Sequence, residues 1–422
     1  MKNSSDKKLT GQGMMNMEVA EKNMSALMQL RKDFSKRKPF KGVRIGMALH
    51  VTKETGVLVR TLTDGGATVA LTSCNPLSTQ DDIVAALKKE GIEVYGYKGE
   101  TRSEYYQFLK KIIASKPHIT VDDGCDLVSE IHTNHTQLIP KIIGGCEETT
   151  TGVLRLHAME KAHALKYPII AVNDNDTKHL MDNYYGTGQS TLDGIIRASN
   201  VLIAGKTVVV AGYGSCGKGV AMRAKGMGAR VIVTEIKPFR ALQAFMDGFE
   251  VMPMPEAARR GDIFITVTGN RDVIRPEHME AMKSGTILAN SGHFDVEIDV
   301  AGLKKIASKK RRVRPFLDEY TVKGGSRSGG QKIIYVAGEG RLVNLAAAEG
   351  HPSEVMSMSF CGQALAIEYL LKKRGTLKPG VHFLPEDADE RISKLQLQAL
   401  GVRIDSLNAR QKKYMSGWRE GT

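Results

Sequence analysis

Cysteine is scarce in this 422-residue chain, and the little there is does not fall into pairs. The five residues Cys74, Cys125, Cys146, Cys216 and Cys361 are odd in number, and no two stand at the close spacing of a zinc or redox motif. That argues against a disulfide scaffold and for reduced thiols in a cytoplasmic protein. No metal is expected. Long apolar runs are missing as well: no stretch approaches the roughly 18 residues that a membrane span needs. The opening Met1-Lys2-Asn3-Ser4-Ser5-Asp6 has no apolar segment behind it, which argues against a secretory signal. The formal charge is +14, yet the densest basic run, Lys304 to Arg314, has no interleaved aromatics on which bases would stack. It reads as a solvated face, and neither a nucleic acid nor a membrane is expected as partner.

What is present is ordinary globular composition, 41% hydrophobic and 25% charged. The length suits roughly two or three domains with a cleft between them. The first forty residues read as a polar start followed by a helix with Met17, Val19, Ala20, Met24, Leu27, Met28 and Leu30 at helical spacing. Strand-like runs follow at Val43–Ala48, Thr68–Thr72, Val94–Tyr97 and Ile119–Asp122, with helical patterns between them, as at Asp81–Glu90 and Glu104–Ala114. A second alternating block has runs at Thr207–Ala211, Arg230–Thr234, Ile263–Thr268 and Thr286–Asn290. Alternation of this kind predicts parallel sheets with helices on both faces. After Gly350 the pattern is helical over Ser353–Lys373 and Glu386–Leu400, with a Gly/Pro-punctuated loop from Gly375 to Pro385 between them. A short Gly/Ser-rich loop is expected at Lys323–Gly330.

The clearest local signal is Val208-Val-Val-Ala-Gly212-Tyr-Gly214-Ser-Cys-Gly217-Lys-Gly219. It follows a β-branched strand, opens a helix, and is succeeded by an acid, Glu235, at the end of the next strand. Gly212 allows the tight turn, Gly214 the approach of a pyrophosphate and Gly217 close helix–strand packing. The helix N-terminus offers N–H donors and positive dipole to phosphates. Glu235 accepts from a ribose 2′-OH and repels a 2′-phosphate, which favours NAD over NADP. Arg240 nearby is the one feature that would welcome a 2′-phosphate.

Polar clusters fall where strands should end: His50 to Thr55, Asp122-Asp123-Gly124, Glu147 to Gly152, Asn173-Asp174, and Lys178 to Asn183. In open α/β sheets that is where ligands bind. Together with Ser73-Cys-Asn-Pro-Leu-Ser-Thr-Gln-Asp81, Gly292-His-Phe-Asp-Val-Glu-Ile-Asp299, Gly340-Arg-Leu-Val-Asn-Leu345 and Gly350-His-Pro352, these segments resemble S-adenosylhomocysteine hydrolases from about Gly42 to Leu384.

The resemblance implies a chemistry that makes sense of the residues. Oxidising the ribose 3′-OH to a ketone acidifies the neighbouring C4′–H, homocysteine is eliminated, water adds to the enone, and the stored hydride returns. By resemblance, Lys178 and Asp182 serve the 3′-OH, with Lys178 as base. Such a lysine needs a lowered pKa, which burial or nearby positive charge supplies. Asp123 and Glu148 handle the 4′-proton and ribose hydroxyls. His50 serves the leaving sulfur and the incoming water, and Asn183 steers the nicotinamide and proton transfers. Thr52, Glu54 and Gln80 match residues that meet adenine, and His293 and His351 flank the substrate. Thr149, Thr150, Thr151, Glu235, Asn290 and Asn344 match cofactor contacts, beside Gly212, Gly214, Gly217 and Arg240.

Three features depart from the family pattern. Thr187 stands where many relatives carry cysteine, and Arg240 where a neutral polar residue is common. The chain ends at Ser416-Gly-Trp-Arg-Glu-Gly-Thr422, without the Lys- and Tyr-containing tail that in animal enzymes reaches a neighbouring subunit's NAD, so that contact is not carried over. The expected fold is α/β with two doubly wound parallel-sheet domains: a substrate domain over 1–182 completed by 352–376, an inserted NAD-binding Rossmann domain over 183–351, and a small helical segment over 377–422. Crossings near Asn183 and His351 would form a hinge. A homo-oligomer, dimer or tetramer, is expected. The same chemistry on the inosyl substrate, a simple NAD-dependent hydroxy-acid dehydrogenase, and a non-catalytic NAD-binding regulator are the competing readings. The presence of Lys178, Asp182 and His50 counts against the last.

Overall fold

The computed structural model describes residues 2–323, 330–419 and 421. The interior of the loop expected at Lys323–Gly330 lies outside the described residues. In the first half, β1 (Arg44–Ala48), β2 (Thr68–Thr72), β3 (Glu93–Tyr95), β4 (Ile119–Asp122), β5 (Gly144–Glu147) and β6 (Pro168–Ala171) form a parallel sheet. The second half contributes β7 (Thr207–Ala211), β8 (Arg230–Thr234), β9 (Glu250–Val251), β10 (Ile263–Thr266), β11 (Thr286–Asn290), β12 (Ala307–Arg314), β13 (Leu317–Lys323) and β14 (Gln331–Ala337). Their order is β12-β13-β14-β11-β10-β7-β8-β9, antiparallel only at β12–β13–β14. The chain then returns to the first sheet with β15 (Gly380–His382), giving the order β15-β6-β5-β4-β1-β2-β3.

The inner strands are buried along nearly their whole length, as sheets covered on both faces require. In the first half the cover comes from α1 (Lys2–Asn23), α2 (Ser25–Arg37), α3 (Lys53–Asp64), α4 (Asp81–Lys89), α5 (Arg102–Ala114), α6 (Asp126–Asn134) and α7 (Thr150–Lys161). In the second it comes chiefly from α8 (Thr187–Ser199), α9 (Ser215–Gly226) and α10 (Pro238–Met246). The N-terminal methionine stripe packs into the first core through Met17, Met24, Leu27 and Leu30. Val19 is the exception, lying on the exposed side. The polar start is helical too, and the helix breaks at Met24, whose backbone leaves the α region (φ −104, ψ 48) while its side chain stays buried.

Several features were not anticipated, strands β9, β13 and β14 among them. β5 and β6 are only four residues each: β5 has no β-branched residue, and β6 opens on Pro168 with only Ile169-Ile170 behind it. β15 sits inside the expected Gly375–Pro385 loop and ties the C-terminal segment to the first sheet. The basic run is strand β12, exposed as expected but neutralised along β13: Lys310 meets Asp318 at 3.0 Å and Arg311 meets Glu319 at 2.6 Å. Arg312 also meets Glu339 at 2.6 Å.

α8 and α9 cross at a pair of glycines. A Cβ on Gly188 would lie 2.6 Å from the Gly219 carbonyl oxygen, and one on Gly219 only 1.9 Å from the Tyr184 carbonyl oxygen. Gly219→Ala should therefore destabilise the protein by about 1–3 kcal/mol through overpacking. Chemical denaturation reads it, and an unchanged midpoint would show that the close approach does not exist.

Candidate active site

Strand order reverses between β1 and β4 in the first sheet and between β7 and β10 in the second. Ligands bind at such switch points. His50 follows β1, Asp123 follows β4, and the Gly212 turn follows β7. One cleft is lined from the first half by His50, Glu54, Asp123 and Glu148 and from the second by Cys216, Ser291, His293, Asn344 and His351.

Lys178, Asp182 and Asn183 come from a π-helix, Thr177–Gly186. Its wider turn keeps residues four and five apart on one side. Lys178 Nζ accordingly reaches both Asp182 Oδ2 and Asn183 Oδ1 at 2.7 Å, with Glu148 Oε1 at 3.7 Å. The other Asp182 oxygen binds His351 Nδ1. Asn183 is held in turn by Asn173 at 3.1 Å. Burial alone would lower the lysine, but Asp182 and Glu148 outweigh it, and the net shift is upward. This corrects the expectation of a lowered lysine: carboxylates, not cations, surround it, and it stands as an ammonium. Burial alone would raise Asp182, but Lys178 and His351 hold it below the usual carboxylate range. Glu148, gripped by Ser359 and Gln363 of the helix Ser353–Lys372, is pushed up to about 7 by burial despite Lys178.

Asp123 lies between two imidazoles, with His50 Nε2 and His293 Nδ1 each at 3.5 Å. His50 Nδ1 meets Ser78 Oγ at 2.8 Å and Cys74 Sγ at 3.2 Å. Burial drives His50 down to about 4, Asp123 only partly offsetting it, so the ring is neutral at pH 7. The ligand-type atoms of His50, Cys74 and Asp123 lie within 4.8 Å of one another, and hydrogen bonds within the trio satisfy them. At the other end, Thr52 caps α3 by accepting from the Thr55 N–H, which fixes Glu54 in the first turn, where it accepts from Ser353 Oγ at 2.6 Å.

The dinucleotide turn is shaped as its glycines require. Gly212 has φ +102, and a Cβ on Gly217 would sit 2.0 Å from the Gly212 carbonyl oxygen. Over Gly214 the nearest atom is Arg240 Nη1, 3.4 Å from a Cβ position, so a cation faces the place where a pyrophosphate would lie. Glu235 is fixed by N–H bonds from Tyr213, Ile236 and Lys237. Toward the cleft, Asn344 donates to Ser190 at 3.3 Å while its buried Oδ1 has no partner. An unmatched acceptor there suits a carboxamide N–H of nicotinamide.

Family models match in two places: "S-adenosyl-L-homocysteine hydrolase" over residues 3–138 and "S-adenosyl-L-homocysteine hydrolase, NAD binding domain" over 183–350. The adenosylhomocysteinase of Sulfurisphaera tokodaii is 57% identical over 417 residues, 99% of each chain. The S-inosyl-L-homocysteine hydrolase of Methanocaldococcus jannaschii is 56% identical over 417 residues, again 99% of each chain. The adenosylhomocysteinase of Aquifex aeolicus is 56% identical over 418 residues. The chain belongs to the S-adenosyl-L-homocysteine hydrolase family. It is an enzyme, with two doubly wound α/β sheets and NAD as its cofactor.

Of the residues expected in a hydrolase of this family, His50, Thr52, Glu54, Asp123, Glu148, Thr149, Lys178, Asp182, Asn183, His293, Asn344 and His351 line the one cleft. Thr151 lies beside Gly269 across the cleft, with Oγ1 3.5 Å from a Cβ position there, while Thr150 binds Asn173 at 3.1 Å. Gln80 lies outside the lining, accepting from the Lys53 N–H and donating to the Glu349 carbonyl. Asn290 is fully buried and spends its side chain on Thr266, Gly292 and Phe294. The cofactor contact expected of it is therefore not available to that side chain, which instead shapes the loop leading to His293. Thr187 Oγ1 lies 3.3 Å from His351 Nε2 and 3.5 Å from Cys216 Sγ. Sequence reading missed Cys74, Ser78, Ser353, Ser359 and Gln363 as partners of the site. Cys74 and Ser78 were in a quoted motif, but nothing in the helical pattern of 353–372 singled out its polar positions.

Two outcomes follow from these charges. Lys178→Ala should cost about 3–5 kcal/mol of stability by stranding buried Asp182. The double variant with Asp182→Ala should recover much of that in a denaturation cycle, and additive losses would refute the pair. The His50 ring, followed by NMR in the free protein, should titrate near 4 rather than near 6.5, and a midpoint above 6 would contradict its burial.

Proposed function

We propose that the protein cleaves S-adenosyl-L-homocysteine reversibly to adenosine and L-homocysteine while retaining NAD. One observation carries the reading: a cleft lined from both sheets gathers a buried set of proton-handling groups with distinct charge states and reaches Cys216, inside the Gly212–Gly219 segment. A dehydrogenase acting on a hydroxy acid would leave the carboxyls Asp123 and Glu148 without a task.

Bound NAD supplies a reversible hydride acceptor, so that the ribose carries a ketone during the bond-breaking steps. The chain's own groups do the rest. The Lys178 ammonium, flanked by Asp182 and Asn183, holds the 3′ oxygen and stabilises negative charge on it. As an ammonium it takes the hydroxyl proton only after passing its own to Glu148, which changes protonation near neutrality. Asp123 faces the sugar and takes the 4′-proton, since Glu148 then carries the proton received through Lys178. Neutral His50 gives a proton to the leaving sulfur and recovers one from the incoming water. His293 and His351 close over the substrate and help exclude bulk water.

Relatives of comparable identity bear adenosyl and inosyl names, so identity alone does not separate the substrates. Glu54 favours adenine: its carboxylate accepts from the exocyclic amine, whereas a hypoxanthine carbonyl would meet it as acceptor against acceptor.

We propose residues 1–182, completed by 352–376, as the substrate-binding domain, 183–351 as the NAD-binding domain and 377–422 as a C-terminal segment, hinged where the chain crosses near Asn183 and His351. We also propose a cytoplasmic homo-oligomer. Five unpaired cysteines support the compartment. Exposed Phe239, Phe245, Met246 and Trp418 support burial against another subunit. No helix among the described residues is long and apolar enough to cross a membrane.

Purified protein given S-adenosyl-L-homocysteine should release thiol without net accumulation of reduced cofactor, and removal of NAD should abolish turnover. The inosyl compound should be used roughly 5- to 150-fold less efficiently, the cost of one unmatched buried acceptor. Equal kcat/KM for both, or thiol release by fully stripped protein, would contradict the proposal.

A further inference from the structure

Two carboxyls beside the cleft have no part in the steps above. Asp122 and Asp123 stand at the end of β4, Glu147 and Glu148 at the end of β5, and the strands pair with Asp122 opposite Glu147. Side chains alternate faces along a strand. The outer member of each doublet, Asp123 or Glu148, lines the cleft. The inner members are fully buried.

The inner carboxyls are spent on loop backbone. Glu147 Oε1 accepts the N–H of Gly124 at 2.8 Å and that of Thr149 at 3.0 Å, so one oxygen spans both loops. Asp122 accepts the N–H of Asp123 at 3.0 Å and of Val128 at 2.9 Å. α7 makes room for this arrangement: a Cβ on Gly152 would lie 2.2 Å from Glu147 Oε1. On its other side Gly124, at φ +110, receives His293 from the second half, with Nε2 2.3 Å from where a Cβ would be. Glu147 Oε2 is buried without a partner. Burial, with Asp122 and Asp123 beside it, pushes the Glu147 carboxyl well up, toward its neutral form.

We propose that Glu147 and Asp122 are positioning residues, a buried carboxyl pair that clamps the backbones of the loops carrying Asp123 and Glu148 and sets the surface on which His293 rests. The inference rests on the reading that Asp123 and Glu148 act at the ribose. It explains why each strand ends in two acids: one faces the sugar, and one holds its neighbour still.

The test compares Glu147→Gln, which keeps the Oε1 acceptor, with Glu147→Leu, which removes it at similar size. In Glu147→Leu, kcat should fall about 100-fold, the scale of a small misplacement of reacting groups. KM should change by less than about 3-fold. Absorbance of reduced nicotinamide should still appear on adding adenosine, while exchange of the 4′ hydrogen with deuterated solvent is lost in step with kcat. Glu147→Gln should stay within about 5-fold of the parent, since a neutral acceptor replaces a carboxyl pushed toward its neutral form. Parent activity in Glu147→Leu, equal damage in both variants, or equal loss of the oxidation and exchange steps would overturn the clamp. If Glu147→Leu fails to fold, amide hydrogen exchange of the parent still decides: slow exchange at Gly124 and Thr149 supports the clamp and fast exchange at both overturns it. That measurement stands even for a parent that leaves S-adenosyl-L-homocysteine untouched, an outcome that sinks the substrate reading instead.

Discussion

The site depends on a buried charge balance. Lys178 and Asp182 are almost wholly removed from water, at 5% and 2% exposure. Neither ion is tolerable there alone, because burying an unpaired charge costs far more than the fold has to spare. The 2.7 Å contact between them, with His351 on the far oxygen and Glu148 on the near side, makes the group admissible. A regular α-helix would bring the residue at i+4 beside the lysine, but not also the one at i+5. The π-helix does both, and so Asn183 joins the cluster as a neutral partner. Local backbone irregularity here is a condition of the charge arrangement rather than a defect in the helix.

The same contact links the two crossings of the chain. The π-helix leads from the first sheet into α8, and the Gly350-His351-Pro352 turn leads back into the helix Ser353–Lys372. His351 belongs to one crossing and Asp182 to the other, and they are bonded to each other. Gly186 lacks a side chain where His351 lies against it, with Nδ1 2.8 Å from a Cβ position. A rotation of one sheet relative to the other would therefore disturb a partner that, after Lys178, helps hold Asp182 ionised.

Much of this was legible in the residues, for definable reasons. β4, β7 and β8 are rich in β-branched residues and largely buried, and five of the eight expected strands match the observed bounds. β5 and β6 escaped because Gly144-Gly145 and Pro168 conceal them. β12 escaped because its pattern is set by ion pairs with β13, not by alternation of apolar residues. In the site, side chains at strand ends could be located because topology places strand ends at ligands. Their ionisation could not. The expectation of a depressed lysine considered burial and neighbouring cations, whereas the fold surrounds Lys178 with carboxylates drawn from β5 and from its own helix. The partners supplied by Ser353, Ser359 and Gln363 were likewise hidden, because they lie about 300, 211 and 215 residues from the carboxylates they grip.

The distribution of charge states also limits what order of events the cleft permits. An ammonium at Lys178 and a carboxylate at Asp182 are both charged at rest, while His50 is neutral. Glu148 is raised to about 7, near its midpoint at neutral pH, and it lies 3.7 Å from the lysine. In the proposed reaction, a proton leaving a sugar hydroxyl would pass to Lys178 as Lys178 yields its own proton to Glu148. Once Glu148 is neutral, the electrostatic support of Lys178 weakens by one carboxylate, and the lysine's affinity for its proton falls with it. The group that accepts the first proton thus adjusts the strength of the base that must take it, and the whole exchange stays within side chains that are at most 7% exposed. Such a relay needs no bulk water, which is the condition under which a sugar ketone with an acidic neighbouring carbon can be kept from side reactions.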